Sequence, residues 1–144
     1  MKKKVERNYL EINSLKELNC SDINPENFHI ELVEPVNFQL NKFFYKSIGK
    51  KHNWIDRLTW SENQWIKYTS DTKVKTYILK NKDDLAGYFE LIIHKNKGEV
   101  EIAYLGLLEE FHNKKLGSYL LTLAIKNSFL EKPKRVWVHT CSLD

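Results

Sequence analysis

Glu101–Leu130 reads EIAYLGLLEEFHNKKLGSYLLTLAIKNSFL, and the rest of the chain is organised around it. Together with Glu99 and Val100 it opens as a strand ending at Leu107, rich in Ile, Val, Tyr and Leu. The chain turns through Leu108-Glu109-Glu110-Phe111 and crosses a polar, lysine-bearing loop, His112 to Lys115. A helix is predicted to begin near Leu116-Gly117, with Leu116, Leu120, Leu123 and Asn127 at helical spacing. A strand that feeds a helix through a short loop aims the first helical N–H groups at whatever sits above the loop. Those groups lack internal partners, and the helix dipole adds partial positive charge. The result is an anion site, most naturally one for phosphate. Gly117 lets the backbone come close to such a ligand, and Lys114 and Lys115 add cationic charge beside it.

The spacing of Leu105-Gly106-Leu107, the turn after it and the loop His112-Asn113-Lys114-Lys115-Leu116-Gly117-Ser118 resembles the GNAT superfamily of acetyl-CoA-dependent N-acetyltransferases. That family has a strand, a short turn, then Arg/Gln-x-x-Gly-x-Gly/Ala opening a helix. Two positions depart from the pattern: His112 stands where the family has Arg or Gln, and Lys115 where it has the first Gly. The resemblance runs from about Tyr9 to the last residue and is most specific from Val74 onward. It implies acetyl-CoA as co-substrate, held by the backbone of Leu105, Gly106 and Leu107 and by the seven loop residues His112 to Ser118. The family usually continues with a further helix and two strands, so the expectation is a C-terminally truncated member.

The bulk numbers suit this class. At 144 residues and 42% hydrophobic content, one domain spanning 1–144 is expected, with residues 1–8 as a flexible arm. No apolar run approaches the ~20 residues that span a bilayer. Met1-Lys2-Lys3-Lys4 is not followed by the apolar stretch of a secretory signal. Cys20 and Cys141 show no metal-ligand spacing, which points to reduced thiols in a cytoplasmic protein. Net charge is +4, carried mostly by lysine, with Arg7, Arg57 and Arg135 the only arginines. Scattered lysine is a solvation pattern rather than a nucleic-acid footprint. The expected partners are an amine acceptor, small molecule or peptide, with no nucleic acid, membrane or metal; a homodimer is left open.

In chain order, Tyr9–Ile12 is expected as a short strand, Ser14–Asn19 as a helical turn and Cys20–Asn27 as loop. His29–Glu34 alternates polar and apolar residues as a strand does, and Pro35 stops the ladder. Asn37–Ser47 carries an amphipathic helix pattern, closed near Gly49. Ser61 and Gln64 form a capping box for a second helix. Strands follow at Val74–Leu79 and Leu85–His94, with Asn96-Lys97-Gly98 as a hairpin signal. After the long helix, Pro133 precedes a final strand, Arg135–Cys141. The last strand–helix–strand crossover makes its two strands parallel neighbours. The fold class is α/β (α+β), a mixed, mostly antiparallel sheet flanked by helices, which is also the GNAT arrangement.

Acetyl transfer to an amine needs a base, a polarised carbonyl and a proton for the thiolate. Glu101 is the candidate base. Simple alternation places it in a row with Ala103, Leu105 and Leu107, where desolvation would strengthen its basicity. The resemblance also puts a catalytic Glu on this strand; the bland alternative is a solvated or Lys-paired glutamate. Gly106 is expected to mark a bulge or close backbone approach, rather than room for a bulky neighbour. The same alternation sends Tyr104 to the opposite face, so it is not assigned as the acid. Between the first two helices, Trp54 and Asp56 are expected to wall the acceptor pocket and receive an ammonium group. Arg57 is expected at the surface beside Asp56. His139 and Cys141 are read as core residues. Three functions follow: an N-acetyltransferase working by direct attack, a CoA-binding module without turnover, and a small α/β domain binding another phosphorylated ligand.

Overall fold

The computed structural model describes residues 7–12 and 25–141. The helical turn expected at Ser14–Asn19, Cys20, Met1–Glu6 and the side chains of His139 and Cys141 lie outside the described residues. The elements run β1 (Arg7–Ile12), β2 (Phe28–Leu32), α1 (Phe38–His52), α2 (Glu62–Ser70), β3 (Val74–Asn81), β4 (Asp84–His94), β5 (Glu99–Leu107), α3 (Lys114–Phe129) and β6 (Arg135–Cys141). The six strands form one sheet in the order β1-β6-β5-β4-β3-β2. All neighbours are antiparallel except β5 and β6, which the α3 crossover makes parallel as expected.

Local chemistry explains most boundaries. Asn37 caps α1 by accepting from the Gln39 N–H at 3.1 Å, and Ser61 and Gln64 form the reciprocal capping box that starts α2. The tight turns use left-handed residues, Lys82 (φ 54°) between β3 and β4 and Gly98 (φ 66°) before β5. The end of α1 differs from the sequence expectation. Gly49 does not close α1, because its bare Cα is pressed against Trp54, where an added Cβ would lie 2.7 Å from the Trp54 Cβ. The helix continues to His52, and Asn53 supplies the left-handed cap at φ 60°.

Two cores hold the layers together. On one face, α3 lays Leu116, Leu120, Ala124 and Ile125 on Leu79, Phe89, Leu91, Ile102 and Leu107. Fully burying a Leu or Ile of this row is worth about 1.5–3 kcal/mol. On the other face, Phe44 and Ile48 of α1 pack on Ile78, Tyr88 and Leu108. Phe44 stacks on Tyr88 with centroids 4.8 Å apart.

The strand register corrects the alternation expected for β5. Leu91 pairs with Ile102 but the next residue, Glu90, pairs with Tyr104, so Ala103 is an extra residue, a β-bulge. The bulge resets the parity. Tyr104 and Gly106 therefore share the α1/α2 face with Glu101, while Leu105 and Leu107 turn to the α3 core. The expected apolar row Glu101-Ala103-Leu105-Leu107 does not exist, and Tyr104 is not on the opposite face.

The bulge also marks where the sheet opens. β5 pairs with β6 only from Glu99 to Ile102, opposite Arg135 to Val138. Beyond Val138, β6 continues to Cys141 along β1 instead. Among the described residues no strand pairs with the β6-facing edge of Ala103–Leu107, so β5 and β6 form a V with its apex at Ile102 and Val138.

Candidate functional site

The open end of the V leads through the turn at Glu109–Phe111 to the α3 N-terminus. The helix begins two residues earlier than expected, at Lys114, with Asn113 as its cap. The Asn113 side chain accepts from the Lys115 N–H at 2.9 Å, and its carbonyl accepts from the Gly117 N–H at 2.8 Å. The other N–H groups at the start of an α-helix have no partner within the helix. Leu116 faces the core, and among the described side chains of the loop and first turn His112, Asn113, Lys115 and Ser118 are exposed. A Cβ added to Gly117 would meet nothing within 4 Å. The space over this turn is therefore open to a ligand. His112 stacks on His52 with centroids 6.0 Å apart, and His52 in turn lies 6.1 Å from the Trp54 ring. The C-terminal end of α1 thus ties the loop to the proposed acceptor wall.

Gly106 has a different reason from the one expected. The bulge lies at Ala103, and a Cβ on Gly106 would sit 2.7 Å from Ile48 Cγ2. Gly106 makes room for α1. Gly106→Ala is expected to cost about 1–3 kcal/mol by overpacking, and to cost little when added to Ile48→Ala, which removes the clashing side chain. Urea denaturation of the single and double variants measures both.

Trp54 is half-buried against Tyr104, at 4.8 Å between centroids, and Tyr45, at 5.6 Å. Asp56 is exposed on the same loop. Burial pushes the Tyr104 phenol well up, with Arg57 acting against it. Trp54 and Tyr104 are therefore brought together beside the V.

Arg57 is not at the surface. It is 6% exposed, and its guanidinium donates to Glu90 Oε1 at 3.0 Å. Glu90 is 0% exposed and also accepts from the Tyr68 hydroxyl at 2.7 Å and the Asn41 amide at 2.8 Å. Five aromatic rings surround the guanidinium, the nearest being Tyr68 at 4.1 Å and Tyr104 at 4.4 Å. Burial acts against the Arg57 charge, but Glu90, Tyr68 and Tyr104 together outweigh it and the net shift is upward. The cluster is a neutralised ion pair under the loop between α1 and α2. Its sequence signal was a lone carboxylate inside the apolar run of β4, Leu85 to Ile93.

Glu101 sits at the closed end of the V, one residue before the apex, on the α1/α2 face. Its Oε1 lies 3.0 Å from His94 Nε2, with the two side chains 19% and 28% exposed. The His94 ring stacks on Trp137 at 6.3 Å and 11°, and Trp137 Nε1 donates to Glu99. Sequence reasoning missed His94, which closes a strand and shows no motif. A cavity of about 530 Å³ opens beyond it, at the β4–β5 turn and below the C-terminal end of α3. It is lined by Lys73, Lys75, Lys95 and Lys97, which disfavour an ammonium acceptor, and it lies at the other end of β5 from the α3 N-terminus.

Comparison with known proteins agrees with this fold. Residues 36–143 match the sequence model of the acetyltransferase (GNAT) family. None of the curated proteins matches the sequence. A GCN5-related N-acetyltransferase from Kribbella flavida superposes with a TM-score of 0.62 at 12% identity, covering 92% of this chain. The chain spans only 47% of that protein. An aminoglycoside acetyltransferase from an uncultured soil metagenomic sample, solved with trehalose, gives 0.65 at 11% identity, covering 82% of this chain and 80% of its own. The PaiA N-acetyltransferase of Thermoplasma acidophilum, solved with coenzyme A, gives 0.52 at 17% identity, covering 73% and 75%. At such identities these structures speak to the fold.

Proposed function

The chain belongs to the acetyltransferase (GNAT) family, and from that premise we propose that it moves an acetyl group from acetyl-CoA to a primary amine by direct attack. The observation that carries the proposal is the V between β5 and β6, with a carboxylate at its apex and a helix N-terminus at its mouth. In this reading the unpaired edge of Leu105, Gly106 and Leu107 offers backbone groups to the pantetheine arm and the thioester oxygen. The first turn of α3, from His112 to Ser118, takes the pyrophosphate. Glu101 accepts the proton of the amine, directly or through one water. Trp54 and Asp56 orient the incoming ammonium before it is deprotonated.

The residues fit the co-substrate. A strand edge without a partner among the described residues and a helix start with open space above Gly117 suit an extended amide chain ending in phosphates. Gly117→Val separates binding from folding. Valine is no worse than glycine inside a helix, so stability should hold or rise slightly, whereas the branched side chain fills the space above the turn. CoA affinity is expected to fall at least ~10-fold, equivalent to ~1.4 kcal/mol, by isothermal titration calorimetry, with the melting temperature of the free protein unchanged or higher. Lys115→Ala should cost much less, since an exposed, flexible ammonium adds little to several backbone donors.

A second reading is a CoA-binding module without turnover. It is favoured by the Asn113 side chain occupying the Lys115 N–H, which removes one donor from the phosphate turn. CoA release from acetyl-CoA is the deciding measurement, with a polyamine, an aminoglycoside and a peptide with a free N-terminus and a lysine as acceptors. Stabilisation by CoA without release on any acceptor would leave the binding module. Thermal stabilisation by ATP but not by CoA would overturn both.

A further inference from the structure

We propose that His94 is a positioning residue for Glu101, holding its carboxylate at the apex of the V; this rests on the reading of Glu101 as the base. The two residues lie on adjacent antiparallel strands, with His94 at the last position of β4 opposite Glu99, and Glu101 two residues further along β5. His94 reaches diagonally across this face, and its Nε2 lies 3.0 Å from Glu101 Oε1. An ionised carboxylate only accepts, so Nε2 carries the proton and donates it. That bond occupies Oε1 and fixes the Glu101 rotamer, leaving Oε2 for the amine or its water.

The imidazole is itself held from behind. Its ring lies nearly parallel to Trp137 of β6, at 11°. Trp137 is anchored through its indole N–H to Glu99 Oε1 at 3.2 Å, and Arg135 stands over its ring at 5.8 Å. Three adjacent strands therefore brace one hydrogen bond to one carboxylate oxygen. Glutamate has three rotatable side-chain bonds, and a solvated one samples many orientations. A base displaced by about 1 Å can lose ~10²-fold in rate. A braced donor on Glu101 removes that freedom at the position where the splayed strands would bring amine and thioester together.

Two substitutions split the positioning role from a packing role. His94→Phe keeps a flat ring against Trp137 and removes the donor. His94→Gln keeps an amide N–H that can reach Glu101 and removes the ring. With acetyl-CoA and the best acceptor of the panel above, His94→Phe should lower kcat by ~10–10²-fold, leaving the KM for acetyl-CoA unchanged. His94→Gln should stay within ~3-fold of the parent, a shift of ~0.65 kcal/mol or less. In a Glu101→Gln background, His94→Phe should add little, because the base it positions is already gone. If His94 serves only to pack Trp137, the order reverses: Phe behaves like the parent and Gln is impaired. That reversal, or an undiminished effect of His94→Phe in the Glu101→Gln background, overturns the proposal. Parent-like turnover of Glu101→Gln overturns the underlying reading of Glu101 instead.

Discussion

Glu90→Ala is expected to cost the fold about 3–5 kcal/mol, the usual consequence of removing one partner from a buried ion pair. The reason is the charge left behind. Arg57 is 6% exposed and gives its guanidinium to Glu90, a carboxylate with no exposed surface at all. Without Glu90, the Tyr68 hydroxyl and the Asn41 amide also lose their acceptor. Asn41 would keep its bond to Thr76 Oγ1 at 2.8 Å, so the penalty falls mainly on Arg57 and Tyr68. In the parent, burial first and Glu90 second hold the Tyr68 phenol far above the ordinary range, against the pull of Arg57. The urea midpoint should fall with little change in slope. Glu90→Gln should be nearly as damaging, because an amide keeps the shape but leaves the guanidinium unneutralised. Glu90→Leu combined with Arg57→Met should recover most of the loss, because a well-packed apolar pair avoids desolvating two charges. If the single and double variants are equally unstable, the cluster's worth lies in its cation–π contacts around Arg57 rather than in the ion pair.

That cluster shows where the reading of a sequence stops. The elements themselves were legible, because each rests on a local period or a local cap: Glu99–Leu107 and Arg135–Cys141 as strands, and the Ser61–Gln64 box at the head of α2. The parallel pairing of β5 and β6 followed from the handed crossover between them. The bulge at Ala103 was not legible. An alanine inside an apolar strand carries no signal that it is skipped in the ladder, yet this one residue decides which face Tyr104 occupies. The Glu90 network joins residues 22 to 49 positions apart, and no motif links positions so separated. Gly49 was misread for a related reason. Its use is to admit Trp54, and a glycine needed for close approach looks like a glycine needed for a cap. At the candidate site, the passage from β5 through the loop into α3 could be read because strand, loop and helix are contiguous. His94 could not, because its partner Glu101 lies across a strand pair.

Glu101→Gln is expected to lower turnover by something like 10²–10⁴-fold, the worth of a positioned proton transfer, while acetyl-CoA affinity barely moves. The substitution is well suited to the site. Glutamine keeps the length and planarity of glutamate, and its carbonyl oxygen can still accept from His94 Nε2, now 3.0 Å from Glu101 Oε1. Folding stability should therefore be close to that of the parent, and a loss of rate cannot be charged to a damaged sheet. The effect should be in kcat and kcat/KM together, because an interaction made only as the amine loses its proton contributes to neither ground-state complex. Raising the pH supplies free amine from solution, so the deficit should narrow there; a general base matters least when its proton has already gone. A glutamate that merely pairs with His94 at the edge of the sheet predicts a small change of either sign, flat with pH. Near-parental turnover of Glu101→Gln at neutral pH would sink the assignment, and with it the argument that the apex of the V is where the amine is deprotonated.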